Sequence, residues 1–378
     1  MNVSPLLVKL GLCLSVLSAG CAQVPNGLNN APIHAPEALE AAETEIVQPL
    51  SVASEGELNA SAAGYDMIDV TIPAELHAQK LPIPAKLARP KGASPNQPRA
   101  TVMVLHGSGG LFKTPDKKDR KPGNPVCKSE MSSQFVNWTA QLTSMGYNVL
   151  LPSSYSARGF CDKHDDTKRM PKSFDTDEEQ VLGRLYDVDA SSRYLCGLSD
   201  VDCNELGLLG WSQGGTATMV ALHWQMDRAI EAFRKEHRKD IDFEIVGLKP
   251  GRPKFKLGVA YYPGCGFDGF LTLSTRSKTP AEDKYFPTAP LTVLHGTKDS
   301  LLERCSTEYA RGERETQIEQ VAAYLKVPNP YEITVFKGAG HGFDGSDSKG
   351  SKGSASSDKT ASREARKIAV AKFTEYLK

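Results

Sequence analysis

The chain has 378 residues, and its 45 lysines and arginines equal its 45 aspartates and glutamates, so its formal net charge is zero. This balance argues against a nucleic acid as the main partner, because phosphate binding requires a basic surplus. The length is sufficient for one domain of about 300 residues with a large buried core.

The N-terminal segment 1–22 has the features of an export signal. Apolar residues 10–17 are followed by small residues and then by Cys21. This apolar run is shorter than the roughly 20 residues that cross a membrane. The run LSAGC resembles a bacterial lipobox, so we predict a lipid on Cys21 and export to the bacterial periplasm, with membrane contact only through that lipid. The alternatives are soluble secretion after cleavage near Ala22 and a cytoplasmic chain.

Residues 23–63 are rich in Ala, Glu, Asn, Pro and Ser and show no sustained apolar period. Such a composition predicts a disordered tether. The tether leads into a single domain over residues 64–378, where short β-rich runs alternate with helical stretches.

The predicted elements indicate an α/β fold with a mostly parallel eight-stranded sheet and helices on both faces. The middle strands are continuously apolar, as expected of strands covered on both sides. The predicted strands are 66–72, 81–88, 100–105, 147–152, 205–210, 256–262, 291–295 and 331–336. The predicted helices are 132–145, 177–195, 213–236, 313–325 and 361–377. The charged segment 225–255 either extends the third helix or forms a surface excursion, and the polar, low-complexity segment 345–361 predicts a flexible loop.

A G-x-S-x-G pattern ends the fifth strand and predicts a nucleophilic serine. Gly210 and Gly214 flank Ser212, with an apolar strand before and a small-residue helix start after. A sharp strand-to-helix turn exposes the serine hydroxyl at the sheet edge, and the flanking glycines let the backbone fold tightly. A plain structural turn is the alternative interpretation.

The glycine-rich run HGSGG ends the third strand and predicts an oxyanion hole. We expect the backbone N–H of Gln213 to act together with that of Ser108 or Gly109. A simple strand-end turn is the alternative.

Two later loops complete a predicted triad. Asp299 follows the seventh strand and His341 follows the eighth, which gives the chain order Ser, Asp, His typical of α/β-hydrolases. The histidines that could compete for the role of base are expected to be structural, and Asp344 is expected to serve local turn chemistry. These histidines are His106, His295 and His223.

From about residue 65 to the end, the chain resembles the dienelactone hydrolase family, particularly its exported bacterial members. The resemblance lies in six runs: HGSGG (106–110), GYNVLLPSSYSARGFC (146–161), GLLGWSQGG (207–215), AYYPGC (260–265), LHGTKD (294–299) and GAGHGFD (338–344). It implies a compact α/β-hydrolase that acts on small esters or lactones. The chain departs from founding members of that family, which have a cysteine nucleophile and an acidic residue where this chain has HGSGG.

Cysteine usage agrees with export, because an even set of six cysteines follows the signal. The sequence contains no C-x-x-C pair, so structural zinc is not expected. Six cysteines can pair in fifteen ways. The implied fold favours three pairs, namely Cys265–Cys305, Cys127–Cys161 and Cys196–Cys203, with free buried thiols as the alternative. It also places Arg158 on the active-site side, where this residue would bind a substrate carboxylate or form a structural salt bridge.

The sequence thus predicts a two-step acyl transfer from a small-molecule ester, with no metal or organic cofactor. Ser212 would attack the carbonyl, His341 would move the protons, and Asp299 would orient the imidazole. Two other functions fit the same residues: a serine peptidase of the same fold and an envelope binding protein that has lost catalysis. The sequence does not fix the oligomeric state.

Overall fold

The computed structural model describes residues 64–76, 79–113, 130–161, 177–228, 254–266, 278–345 and 353–378. The predicted signal, the tether, Cys21 and Cys127 lie outside the described residues, as does most of segment 225–255. Within the described ranges, no helix is long and apolar enough to cross a membrane.

Eight strands form one open sheet. They are β1 (Tyr65–Ile72), β4 (Ile83–Pro90), β5 (Arg99–Leu105), β6 (Asn148–Pro152), β7 (Val201–Trp211), β8 (Leu257–Tyr261), β9 (Leu291–Gly296) and β10 (Tyr331–Phe336). Their order in the sheet is β1-β4-β6-β5-β7-β8-β9-β10. Within this sheet β1–β4 and β4–β6 pair antiparallel, and the other neighbours pair parallel. A separate short antiparallel pair joins β2 (Glu75–Leu76) to β3 (Gln79–Lys80).

The predicted eight-stranded, mostly parallel sheet of an α/β fold is confirmed. Every residue of β6, β8 and β9 is buried, because helices cover both faces of the sheet centre. The bounds of β7 differ most from the prediction, since this strand begins at Val201 rather than at residue 205.

The helices are α1 (Ser133–Ser144), α2 (Ser154–Ala157), α3 (Asp177–Cys196), α4 (Gln213–Ala221), α5 (Glu313–Leu325) and α6 (Ala355–Tyr376), with a 3₁₀ helix over Ser300–Arg304. Two apolar clusters fill the faces of the sheet. Helices α3, α4 and α5 contribute to one cluster, for example through Leu185, Met219 and Ile318. Helices α1 and α6 contribute to the other, for example through Trp138 and Phe373.

Two predicted helix boundaries are wrong. The helix predicted over 213–236 ends at Ala221, because the chain beyond it pairs with another segment: Thr288 donates to Leu222 O and Trp224 donates to Phe286 O. The last helix begins at Ala355 instead of residue 361. Ser354 caps it by accepting from the Ser357 N–H at 3.2 Å, so the end of the predicted flexible loop 345–361 is helical.

Two of the three predicted disulfides lie within the described residues and are confirmed, whereas the predicted partner of Cys161, Cys127, lies outside them. Cys196–Cys203 closes the turn between α3 and β7, and Cys265–Cys305 joins the loops after β8 and β9. Cys161 is also disulfide-bonded.

Candidate active site

Ser212 lies on the sharp turn between β7 and α4. Its φ of 50° is unusual for a residue with a side chain. The Ser212 N–H donates to Tyr261 O at 2.9 Å, which anchors the turn to β8. The backbone strain at this position presents the hydroxyl above the carboxyl edge of the sheet.

Gly210 and Gly214, which flank Ser212, are required because other backbone segments pass too close to them for a side chain to fit. A Cβ on Gly210 would lie 2.2 Å from Gly214 O, and a Cβ on Gly214 would lie 2.2 Å from Leu105 O. Real Cβ atoms essentially never approach so closely, so any side chain here would force α4 away from the sheet.

The structure brings together the three residues of the predicted triad. Ser212 Oγ lies 2.9 Å from His341 Nε2, and His341 Nδ1 lies 2.8 Å from Asp299 Oδ2. Because the carboxylate can only accept, Nδ1 carries the proton and Nε2 accepts from the serine hydroxyl. The side chain of Asp299 is only 2% exposed, whereas that of His341 is 37% exposed and reachable by a small molecule.

The surroundings keep Asp299 ionised. Burial acts to raise its pKa, but the hydrogen bond with His341 and the neighbouring His295 outweigh burial, and the net pKa lies below its ordinary value. The second carboxylate oxygen accepts the Leu301 N–H at 3.0 Å, at the start of the 3₁₀ helix. An ionised, fixed carboxylate can orient the imidazole and stabilise its protonated form.

The predicted oxyanion loop lies against the nucleophile turn. A Cβ on Gly107 would be 3.4 Å from Ser212 Cβ. Gly107 O accepts the Gly110 N–H at 3.1 Å, so the Ser108 N–H of the same peptide unit points the opposite way, out of the turn. Gln213 is the first residue of α4, where N–H groups have no partner inside the helix. The choice between Ser108 and Gly109 as donor stays a prediction.

A polar cluster that the sequence analysis missed supports this loop from below. Tyr155 donates to Gln213 Oε1 at 2.6 Å, and Gln213 Nε2 donates to Gln180. The buried guanidinium of Arg184 donates to His106 O and lies 5.2 Å from the Tyr155 ring centre. These partners come from α2 and α3, and no spacing in the sequence indicates that they meet.

The three histidines that could compete for the role of base occupy structural positions. Burial lowers the pKa of His106 well below its ordinary value, and the charge of Arg184 acts in the same direction. His295 Nε2 donates to Pro263 O at 3.1 Å, with its other nitrogen 3.3 Å from Asp299. His223 packs edge-on against Tyr285.

Arg158 pairs with a buried aspartate, and its interpretation as a substrate-carboxylate site is corrected. Its guanidinium donates to both oxygens of Asp187, at 2.9 and 3.1 Å, and to the carbonyl oxygens of Ser154 and Gly183. The two charged side chains are 4% and 1% exposed. The alternative that the sequence left open, a structural salt bridge, describes this residue.

Asp344 serves more than local turn chemistry, and that expectation is also corrected. Its carboxylate accepts from Trp211 Nε1 at 2.7 Å, from Tyr262 OH at 2.5 Å and from Gln134 Nε2 at 3.2 Å. The ring of Tyr262 lies 4.7 Å from that of His341, centre to centre. The sequence shows that an aspartate follows His341 by three residues, but it does not show the hydrogen-bond donors of Asp344, because these lie far away in the chain.

Among the described residues, no group of three or more His, Cys, Asp or Glu side chains is arranged to hold a metal ion.

Comparisons with known proteins agree with this architecture. Residues 131–378, about two thirds of the chain, match the model of the dienelactone hydrolase family. No curated protein matches the chain.

Solved structures with the same fold include a protein from Klebsiella pneumoniae subsp. pneumoniae MGH 78578 assigned as a dienelactone hydrolase. It is 18% identical, with a TM-score of 0.50, over 82% of this chain and 99% of that one. A dienelactone hydrolase-like promiscuous phosphotriesterase from metagenomic libraries is 15% identical, with a TM-score of 0.51, over 82% of this chain and 99% of that one. A Bacteroides ovatus protein assigned as dipeptidyl aminopeptidase IV is 14% identical, with a TM-score of 0.46, over 84% of this chain and 37% of that one.

Proposed function

We propose that this chain, which belongs to the dienelactone hydrolase family, is a serine hydrolase that cleaves carboxylic esters or lactones of small molecules. The observation that carries the proposal is the continuous relay from Ser212 Oγ through His341 to Asp299, with contacts of 2.9 and 2.8 Å. A nucleophile, a base and a group that orients the base stand in the order that acyl transfer requires.

The first half-reaction forms an acyl-enzyme. The Ser212 oxygen attacks the ester carbonyl while its proton passes to His341 Nε2. The tetrahedral intermediate collapses as the same nitrogen returns the proton to the leaving alcohol. Asp299 is ionised, so it stabilises the imidazolium that exists between these two transfers.

The second half-reaction releases the acid. Water occupies the place of the alcohol, gives a proton to His341 and attacks the acyl carbon, and Ser212 leaves with that proton restored. In both halves the negative charge on the carbonyl oxygen falls near the N-terminus of α4, where the Gln213 N–H and a donor from the HGSGG loop would bind it. One such donor is typically worth about 10²–10³ in rate.

Kinetics with activated esters test the proposal. Wild-type protein should hydrolyse short-chain p-nitrophenyl esters, and Ser212→Ala should lose this turnover while its circular dichroism stays unchanged. Ser94→Ala is the matched control, because Ser94 is exposed and remote from the site, and it should keep full activity. Absence of ester turnover in the wild type, or its persistence in Ser212→Ala, would contradict the proposal.

A second substrate panel separates ester from peptide hydrolysis. Matched p-nitrophenyl esters and p-nitroanilides with the same acyl group report the two chemistries directly. We expect kcat/KM for the esters to exceed that for the anilides. Equal or greater turnover of the anilides would point to a peptidase, and binding of both without turnover to a catalytically inactive protein.

The disulfides bear on the cellular location of the protein. The disulfides indicate an extracellular or periplasmic environment, because such bonds persist in oxidising compartments. We propose in addition that Cys21 carries a lipid. Metabolic labelling with a radioactive fatty acid should mark the wild type but not Cys21→Ala, and unlabelled wild-type protein would contradict the proposal.

A further inference from the structure

We propose that Asp344 is a positioning residue, whose carboxylate fixes the nucleophile turn and the loop of the base relative to each other. The proposal rests on the proposed function, because it assigns a role in the alignment of Ser212 with His341. Asp344 itself does not touch either reacting group.

The carboxylate of Asp344 joins three separate parts of the fold. It accepts from Trp211 at the end of β7, from Tyr262 just after β8 and from Gln134 in the first turn of α1. Asp344 belongs to the loop after β10 that also carries His341. One side chain thus connects the ends of two neighbouring strands and a helix to the histidine loop.

Each end of the Ser212–His341 hydrogen bond lies next to a residue that donates to this carboxylate. Trp211 immediately precedes Ser212, and its indole is 1% exposed and stacked on Tyr261 with ring centres 5.3 Å apart. Tyr262 packs its ring against the His341 imidazole at 4.7 Å. Asp344 therefore restrains the residue before the nucleophile and the aromatic wall beside the base.

The backbone at Tyr262 indicates that this wall is held in place. Tyr262 has a φ of 37°, in the left-handed region that bulky residues rarely adopt. Such a conformation persists only where the surroundings over-determine it. The Tyr262 N–H donates to Leu294 O at 2.8 Å and its hydroxyl donates to Asp344, so the residue is fixed from both ends.

Only a carboxylate can accept all three donors. An ionised aspartate offers two oxygens with about four lone-pair sites, whereas asparagine offers one oxygen and adds two donors. Burial raises the pKa of Asp344 above its ordinary value, and the hydrogen bonds from Tyr262, Trp211 and Gln134 reduce the size of that rise. The three hydrogen bonds thus favour the ionised carboxylate, which is the form that can accept all of them.

The test compares Asp344→Asn, Asp344→Ala and Tyr262→Phe by steady-state kinetics. A displacement of about 1 Å between nucleophile and base can cost about 10²-fold in rate. We expect Asp344→Ala to lower kcat about 10²-fold, with Asp344→Asn and Tyr262→Phe between it and the wild type. KM should change less than about threefold, because the carboxylate does not contact the substrate.

Asp200→Asn is the matched control for a purely structural effect. Asp200 is also a buried carboxylate, 3% exposed, and pairs with Arg89 at the opposite end of β7. This variant should lose stability to urea without losing kcat. If kcat falls in Asp200→Asn as far as in Asp344→Ala at matched stability, the positioning role is overturned.

Proton NMR decides the proposal independently of turnover. The His341 Nδ1 proton, which is bonded to Asp299, should give a low-field resonance that His341→Ala lacks. We expect this resonance to shift or broaden in Asp344→Ala and Tyr262→Phe but not in Asp200→Asn. An unchanged resonance in Asp344→Ala, or a kcat within twofold of wild type, would overturn the inference. An inactive wild type whose resonance still responds to Asp344 would instead refute only the proposed function.

Discussion

Gly214→Ala tests the packing of the nucleophile turn most sharply. The added methyl carbon would lie 2.2 Å from Leu105 O and 2.5 Å from His106 O, where contacts below 3.0 Å are essentially never seen. Leu105 belongs to β5, which is paired on both sides with β6 and β7 and cannot yield. Helix α4 must therefore retreat by about 1 Å, since a tolerable contact requires about 3.2 Å.

The retreat should break the relay. Ser212 is the N-cap of α4, so the same movement lengthens the 2.9 Å contact with His341 to nearly 4 Å, beyond hydrogen-bond distance. We expect kcat for a p-nitrophenyl ester to fall by about 10²-fold. The free energy of unfolding, measured in urea, should fall by about 1–3 kcal/mol from overpacking.

Gly207→Ala controls for loss of stability without movement of the turn. Its methyl group would meet only side chains, those of Phe373, Leu377 and Leu257, at 3.1–3.3 Å on the face opposite α4. This variant should be destabilised but should keep kcat within about twofold. A Gly214→Ala protein with wild-type kcat, or a Gly207→Ala protein with an equal loss, would refute the reasoning.

Three further predictions concern the supporting structure. Replacing both cysteines of Cys265–Cys305 by serine should destabilise the protein by about 4 kcal/mol, and the same change at Cys196–Cys203 by about 2 kcal/mol. The first bridge closes the longer loop, with a sequence separation of 40 residues against 7. Equal losses of unfolding free energy in urea would contradict this. Arg158→Met should cost about 3–5 kcal/mol by leaving Asp187 buried and unpaired, yet should leave the ratio of rates for anionic and neutral esters unchanged; a changed ratio would restore a substrate role. Burial lowers the pKa of His106 in the folded chain. Below pH about 6.5 the unfolded chain therefore binds a proton that the folded chain does not. The free energy of unfolding should fall by up to about 1.4 kcal/mol per pH unit as the pH decreases. His106→Gln should show a shallower slope between pH 7 and 5, and an equal slope would exclude this cause.

The sheet and the order of the triad residues could be predicted from the sequence for physical reasons. Strands buried on both faces must be continuously apolar, and parallel strands bring the loops after them to one edge. The positions of Ser212, Asp299 and His341 after their strands were therefore enough to predict that the three would meet. Their contacts in the structure follow from that common edge.

Side-chain partners that depend on tertiary packing could not be predicted in the same way. Arg158 was placed on the correct side of the sheet, but its carboxylate partner lies 29 residues away on α3. Asp344 was assigned to its own turn, although its donors lie 82, 133 and 210 residues away. Helix and strand periods can be recognised from residues that are close together in the sequence. Contacts between side chains that are distant in the sequence leave no such pattern.

Covalent labelling tests the central claim most directly. A fluorophosphonate should form one adduct, and tandem mass spectrometry should locate it on the peptide that contains Ser212. Labelling should slow strongly in His341→Ala, because the serine then lacks its base. An adduct on another residue, or equally fast labelling without His341, would contradict the account.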